Sequence, residues 1–291
     1  MLPLRAECRA SSAKGTQGVA ASTGVNTDCG PVPVTLPAHA AAVLPFFRLS
    51  RRGVLPTALI VGACAPDLSY VYALRELGDF AHAFPGFILF CLPVGLAVLL
   101  WLEVLILPAL RLALPEVGGV QWGRFARTEG LPRSLLAWLI TAATLVLGAA
   151  THLLWDGFTH HSMWPAQVLY PDVVVPVGSR DLPLSRVLQH ISSLVGSLVV
   201  FAYMARRHPH LEPVPGGSWS SLLRVLLPTA AGACVGLVMR LVRYQDMGAL
   251  EAQLWWAFWP TATGALAGLT VGCVLVRWRA WRGMPELSRG T

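Results

Sequence analysis

Five stretches of this chain, roughly residues 86–110, 135–155, 184–204, 221–242 and 254–276, each run mainly apolar for a score of residues or more. A helix needs about 20 such residues to cross the roughly 30 Å hydrocarbon core of a bilayer. The expected fold is therefore all-α: a multi-pass membrane helical bundle with about five spanning helices. Composition agrees, because 13% charged residues in a chain of 291 is about half the share found in soluble domains. So little charge cannot solvate a globule of this length, which excludes most soluble enzymes and disordered proteins.

Two shorter apolar stretches, 37–47 and 56–74, precede the first span. A dozen helical residues reach only about 18 Å, too short to cross. Both lengths fit a helical hairpin turning around Arg48–Gly53, which returns Asp67 to the level of His39. Residues 1–34 are rich in Ala, Gly, Ser and Thr and read as a disordered extension, with Val32 an alternative start whose use leaves insertion unchanged. The expected organisation is that extension, a membrane-embedded core over 35–205 with a metal site, a loop at 206–220, a helix pair at 221–276 and a tail at 277–291.

The net charge of +7 is carried almost wholly by arginine, Lys14 being the single lysine. The arginines separate apolar runs instead of forming one basic face, so nucleic acid is not an expected partner. Under the positive-inside rule they place 111–134, 205–220 and 277–291 in the cytoplasm, and 156–183 and 243–253 opposite. The C terminus is then cytoplasmic. The six cysteines are scattered without a CxxC pair, so neither a disulfide framework nor a thiolate metal site is expected. Nucleotide and serine-hydrolase signatures are absent.

Ionisable groups at bilayer depth cost about 2.5–3.5 kcal/mol each on insertion scales, so His39, Asp67, His82, His152, Asp156, His160, His161 and His190 need a compensating reason. Metal coordination supplies one. His152 and Asp156 stand one helical turn apart on one face, and His160 either extends that stripe or folds back from a loop. Alone, this motif reads equally well as a hydrogen-bonded His–Asp pair. Topology adds weight, because all these residues fall at one, non-cytoplasmic, end of the bundle. Glu103, roughly 31 Å along the helix from His82, is expected to snorkel toward the cytoplasmic interface instead. His208 and His210 read as solvated loop residues. Gly232 with Gly236, and Gly264, Gly268 and Gly272, have spacing for close helix packing.

Pro37-Ala-His39-Ala-Ala-Ala-Val-Leu-Pro45, Gly62-Ala-Cys-Ala-Pro66-Asp67, His82, Ala150-Thr-His152-Leu-Leu-Trp-Asp156-Gly-Phe-Thr-His160 and Leu188-Gln-His190-Ile-Ser-Ser resemble the bacterial membrane family termed domain of unknown function 4184, over about residues 35–205. That resemblance implies an inner-membrane protein but no activity. The order of the motifs is also distantly similar to zinc-dependent phospholipase C, P1-type nuclease and membrane-bound metal-dependent hydrolases. The likeness implies His39, Asp67, His82, His152, Asp156, His160 and His190 as metal ligands. Those soluble enzymes use an N-terminal amine and a late HxxxE motif, whereas Leu194 stands four residues after His190. One or two ions are expected, Zn²⁺ first, with Mn²⁺ or Fe as alternatives. Asp67 would act as base, and His160 or His161 as proton donor, on a phosphoester in a lipid or membrane-proximal substrate. Alternatives from other classes are an ion-coupled transporter, haem ligation by His82 with His190, and a non-catalytic protein with a structural metal.

Overall fold

The computed structural model describes residues 36–52, 55–73, 77–161, 163–178, 180–207, 211, 214, 216–243 and 250–282. The expected extension at 1–34, His208, His210 and the tail beyond 282 lie outside the described residues. Among the described residues, five helical stretches are long and apolar enough to cross a membrane: Phe84–Ala113, Leu135–Leu169, Leu184–Arg207, Trp219–Val242 and Ala257–Arg282. Their outer faces expose large aliphatic side chains, among them Leu139, Leu198 and Leu227. Water would penalise such surfaces and lipid does not. The chain is an all-α multi-pass membrane protein.

The expected hairpin precedes the spans. Helix α1 (Leu36–Val43) runs into a 3₁₀ stretch, Leu44–Arg52. Helix α2 (Pro56–Cys64) follows, then a second 3₁₀ stretch, Pro66–Ala73. Pro56 opens α2, where its missing N–H would have no partner anyway. Ala65 keeps helical angles, φ −60° and ψ −40°, and donates its N–H to Gly62 O; Pro66 has no N–H to continue the ladder, and α2 ends there. A short helix, α3 (Gly78–Ala81), then leads to the first span.

That span is built of α4 (Phe84–Gly86), α5 (Leu92–Trp101) and α6 (Leu107–Ala113), joined by π turns at Phe87–Cys91 and Leu102–Ile106. Pro93 and Pro108 each lie just beyond a π turn. Proline removes a backbone donor and crowds the carbonyl four residues back, and a widened turn relieves both without breaking the helix. A two-stranded hairpin, β1 (Glu116–Val117) and β2 (Val120–Gln121), follows, with Gly118 and Gly119 at φ 61° and 74°. Two consecutive positive φ angles are what a type I′ turn needs.

Helix α7 (Leu135–Thr159) starts at Ser134, whose Oγ accepts from Ala137 N at 3.2 Å. Beyond it come α8 (Trp164–Leu169), a hairpin of β3 (Val174–Val177) and β4 (Arg180–Pro183), and α9 (Leu184–Arg207). Helices α10 (Trp219–Arg243) and α11 (Leu250–Arg282) form the final pair. A Cβ on Gly232 would overlap the Gly264 carbonyl, and one on Gly268 the Pro228 carbonyl. The glycines thus bring the two backbones into contact, as their spacing predicts.

Glu103 departs from expectation. It does not snorkel: it is 7% exposed, and its Oε2 accepts from Glu129 N at 2.9 Å and Gly130 N at 3.1 Å. The segment after α6 folds back against the bundle and offers two backbone donors, so the carboxylate turns inward to them from its π turn.

Candidate metal centre

Two close helix contacts place the cluster. On α2, a Cβ at Gly62 would overlap the Leu145 carbonyl of α7; on α7, a Cβ at Gly148 would overlap the Leu59 carbonyl and lie 2.7 Å from Ala63 N. These two glycines let α2 and α7 touch backbone to backbone. One turn beyond Gly148, His152 meets the C-terminal end of α2, and its Nδ1 lies 2.7 Å from the Ala63 carbonyl. Helix α7 runs past Gly157 to Thr159, so His160 caps it with an extended backbone, φ −113° and ψ 122°. Helix α1 packs beside α2, α7 and α9 and brings in His39. Asp67 comes from the 3₁₀ stretch after α2, and His82 from the end of α3.

The side chains converge. His152 Nε2 is 3.0 Å from Asp156 Oδ2 and 3.7 Å from Asp67 Oδ1; His82 Nε2 is 3.7 Å from both Asp67 Oδ1 and Asp156 Oδ2. His39 Nε2 and His160 Nδ1 each lie 3.5 Å from Asp156 Oδ1. The His39 and His152 rings stack at 3.7 Å. Two triads, His39–Asp67–His152 and His82–His152–Asp156, have donor atoms within 4.8 Å of one another and can hold a metal ion. Ligands at about 2.0–2.1 Å from a tetrahedral zinc ion stand about 3.3 Å apart, close to these separations.

Proton placement makes the same point. The Nδ1 atoms of His152 and His82 face the carbonyls of Ala63 and Gly78, the latter at 2.8 Å. A carbonyl only accepts, so each Nδ1 carries a proton and a neutral ring presents an Nε2 lone pair. Both lone pairs face carboxylate oxygens. Lone pair against anion is repulsive in a dry site unless positive charge lies between them, as a second ring proton or a cation. Neither His152 Nε2 nor Asp156 Oδ1 has a hydrogen-bond partner among the described residues, and both are buried. Anchoring of the far ring nitrogen by a backbone carbonyl is a recurrent support for metal-ligating histidine. Burial, then the neighbouring His152, pushes the His39 imidazole down to about 4.

The cluster is closed on one side and open on the other. The side chains of His39, His152 and Asp156 are 1%, 0% and 2% exposed, whereas those of Asp67, His82 and His160 are 16%, 12% and 28% exposed. His161 is half-buried in the turn after α7 and makes no ion pair with the cluster among the described residues.

His190 is not brought to the cluster. It lies exposed on α9 beside Ile191 and Leu194, while Ser185, Gln189 and Gly196 form the buried face. Small and polar residues mark the side of a membrane helix that meets its neighbours. His190 sits one residue, about 100° of helix, off that stripe. Gln189 takes the inward position instead, its Nε2 lying 3.2 Å from His160 Nε2. Sequence reasoning missed Gln189, Gly62 and Gly148, although the Ser185–Gln189–Gly196 stripe signalled the first.

Neither a curated protein nor a solved structure matches this chain significantly. A family model described as a domain of unknown function, DUF4184, matches residues 32–278. The match covers every motif in the cluster and also extends over the last helix pair, beyond the 35–205 of the motif resemblance. With most of its length matched by that model, the chain belongs to the DUF4184 family.

Proposed function

We propose that the chain is a membrane-bound metal-dependent hydrolase acting on a phosphoester in a lipid or another membrane-proximal substrate. The observation that carries this reading is the convergence of imidazole nitrogens and two carboxylates from four separate elements of the chain on one partly open cluster. Structural metal sites are closed and catalytic ones keep a position open, and the exposure of Asp67, His82 and His160 supports the catalytic kind.

His152, Asp156, His82 and His39 would hold the ion, Zn²⁺ by the chemistry of the donors, with Mn²⁺ or Fe as alternatives. Both triads use His152, whose Nδ1 is occupied by the Ala63 carbonyl. A ring with one free nitrogen ligates one ion, so the triads describe a single centre. When bound, a divalent ion supplies Lewis-acid activation of water and offsets charge on a phosphoryl oxygen.

Asp67, the more accessible of the two carboxylates, would accept the proton of the attacking water. His160 lies on the open side of the cluster, with Nε2 3.2 Å from the Gln189 side-chain amide and Nδ1 3.5 Å from Asp156 Oδ1. As an imidazolium it would give one ring proton to the leaving group and return to a neutral ring. The exposed Trp155, Phe158 and Trp164 lie beside the cluster end of α7. Aromatic residues of this kind favour the membrane–water interface, where a lipid phosphoester would present itself.

The test is metal content by mass spectrometry of full-length protein purified in detergent, followed by turnover of phosphodiester lipids. Wild type should carry about one equivalent of metal, and the double variant His152→Ala with Asp156→Ala none. Metal-free wild type, or undiminished metal in the double variant, would defeat the reading. A second reading, a structural ion clamping the N-terminal hairpin to α7, draws on the near-complete burial of His39, His152 and Asp156. It predicts bound metal with no turnover.

A further inference from the structure

Helix α7 is 25 residues long, and at 1.5 Å per residue it reaches about 37 Å, enough to cross the ~30 Å hydrocarbon core alone. The segment that follows is therefore surplus to the span. It turns away at His160, whose backbone is extended, and forms α8 and the β3–β4 hairpin before α9 begins.

This segment is firmly seated. Pro165 lies against α7, since a Cβ on Gly157 would come within 2.9 Å of its Cγ. Tyr170 Oη donates to the Phe158 carbonyl, and Leu184 N donates to Val173 O at 2.8 Å. Its outer side is nonetheless apolar. On α8, Ala166 is buried, and the opposite face presents Trp164 and Val168 one turn apart, with Leu169 beside them. These three residues are 75%, 63% and 63% exposed, and α8 contains no charged residue. Val174 and Val177 of β3 are exposed as well. Large apolar side chains grouped in this way mark a contact surface.

Two observations name what covers it. The apolar face continues the lipid-facing surface of the neighbouring spans, where Trp155 and Phe158 stand exposed at the end of α7, and Ile191 and Leu194 on α9. The hairpin then sets the depth. Among the described residues, β3 and β4 pair only with each other. Both outer edges thus keep unpaired backbone groups, which hydrocarbon does not tolerate. The segment fits the headgroup level and no deeper.

We infer that α8 and the β3–β4 hairpin lie on the membrane surface at the cluster end of the bundle, with Trp164, Val168 and Leu169 set among the lipids of that leaflet. Helices with an apolar, Trp-bearing face bind bilayers in this way. His160 stands at the corner between α7 and α8 and is 28% exposed, so the same segment holds the open side of the cluster at headgroup level. The inference requires neither bound metal nor turnover.

Photocrosslinking tests it. Full-length protein carrying p-benzoylphenylalanine in place of Trp164, Val168 or Leu169 is reconstituted in vesicles of phosphatidylethanolamine and phosphatidylglycerol, irradiated and weighed intact. Leu139, exposed on a span, serves as the lipid-facing reference, and Asp172, in the turn after α8, as the water-facing one. Lipid adducts at the three positions should match the yield at Leu139 and exceed that at Asp172. Yields no higher than at Asp172 would overturn the proposal. Adducts joining two copies of the chain would overturn it too, by assigning the face to a dimer. Hydroxyl-radical labelling of unsubstituted protein in the same vesicles gives a second reading, in which Trp164 should be protected. Oxidation of Trp164 as extensive as that of a tryptophan peptide free in the suspension would overturn the proposal equally.

Discussion

His152 shows how much one side chain settles. Its Nδ1 is held by the Ala63 carbonyl and its Nε2 stands between two carboxylates, so replacement by Ala removes both the anchor and the ligand. Metal content should fall below about a tenth of wild type in His152→Ala, at least the roughly tenfold loss that changes to the outer shell alone produce. His190→Ala should leave it unchanged, because that ring faces outward on α9. Elemental analysis of the two proteins side by side checks both statements. His160→Gln separates holding the ion from moving a proton: metal should stay and turnover should drop by about 10²–10⁴. Glu103 makes a comparable argument without chemistry. Its two charge-assisted bonds to the backbone of Glu129 and Gly130 are each worth about 1.5–3 kcal/mol. Glu103→Ala should therefore lower the unfolding midpoint in a thermal melt while leaving metal content intact.

Among the elements, α2 and α7 meet backbone to backbone beside the cluster, whereas the contact of α10 with α11 involves no cluster side chain. Gly148→Ala would drive a methyl group into the backbone of α2 at Leu59 and Ala63, an overpacking cost of about 1–3 kcal/mol. The separation it forces moves the Ala63 carbonyl from His152, so this variant should lose both stability and metal. Gly264→Ala pushes α11 from Gly232 of α10 by the same physics, but the contact belongs to the pair that supplies no cluster side chain. It should lose stability and keep its metal, a contrast that melting curves and elemental analysis read together. The hydrophobic runs made all five spans legible, since twenty apolar residues have few alternatives to a membrane helix. The hairpin could be read as well, because neither of its arms could cross. The π turns and the two small β-hairpins could not, since they answer local crowding at prolines and tight turns at glycines.

The whole molecule is polar in its layout: the His/Asp cluster lies where α7 ends and α9 begins, and Arg111, Arg124 and Arg127 lie at and past the end of α6. If the arginine-rich end faces the cytoplasm, as loop charge favours, a fluorescent protein fused after Thr291 should fold and fluoresce. Alkaline phosphatase inserted at Asp172 should be active in the same cells; the reverse pattern would invert the bundle. Apolar length and arginine spacing were enough to determine the membrane class, the number of spans and the end at which the histidines and aspartates gather, because solvation in lipid is a property of composition along the chain. Which of them meet was decided only by packing. The rotation of α9 about its axis turned Gln189 in and His190 out, and the glycine contact of α2 with α7 brought Ala63 to His152. Those outcomes depend on the shapes of facing surfaces, which a linear pattern of residues does not specify.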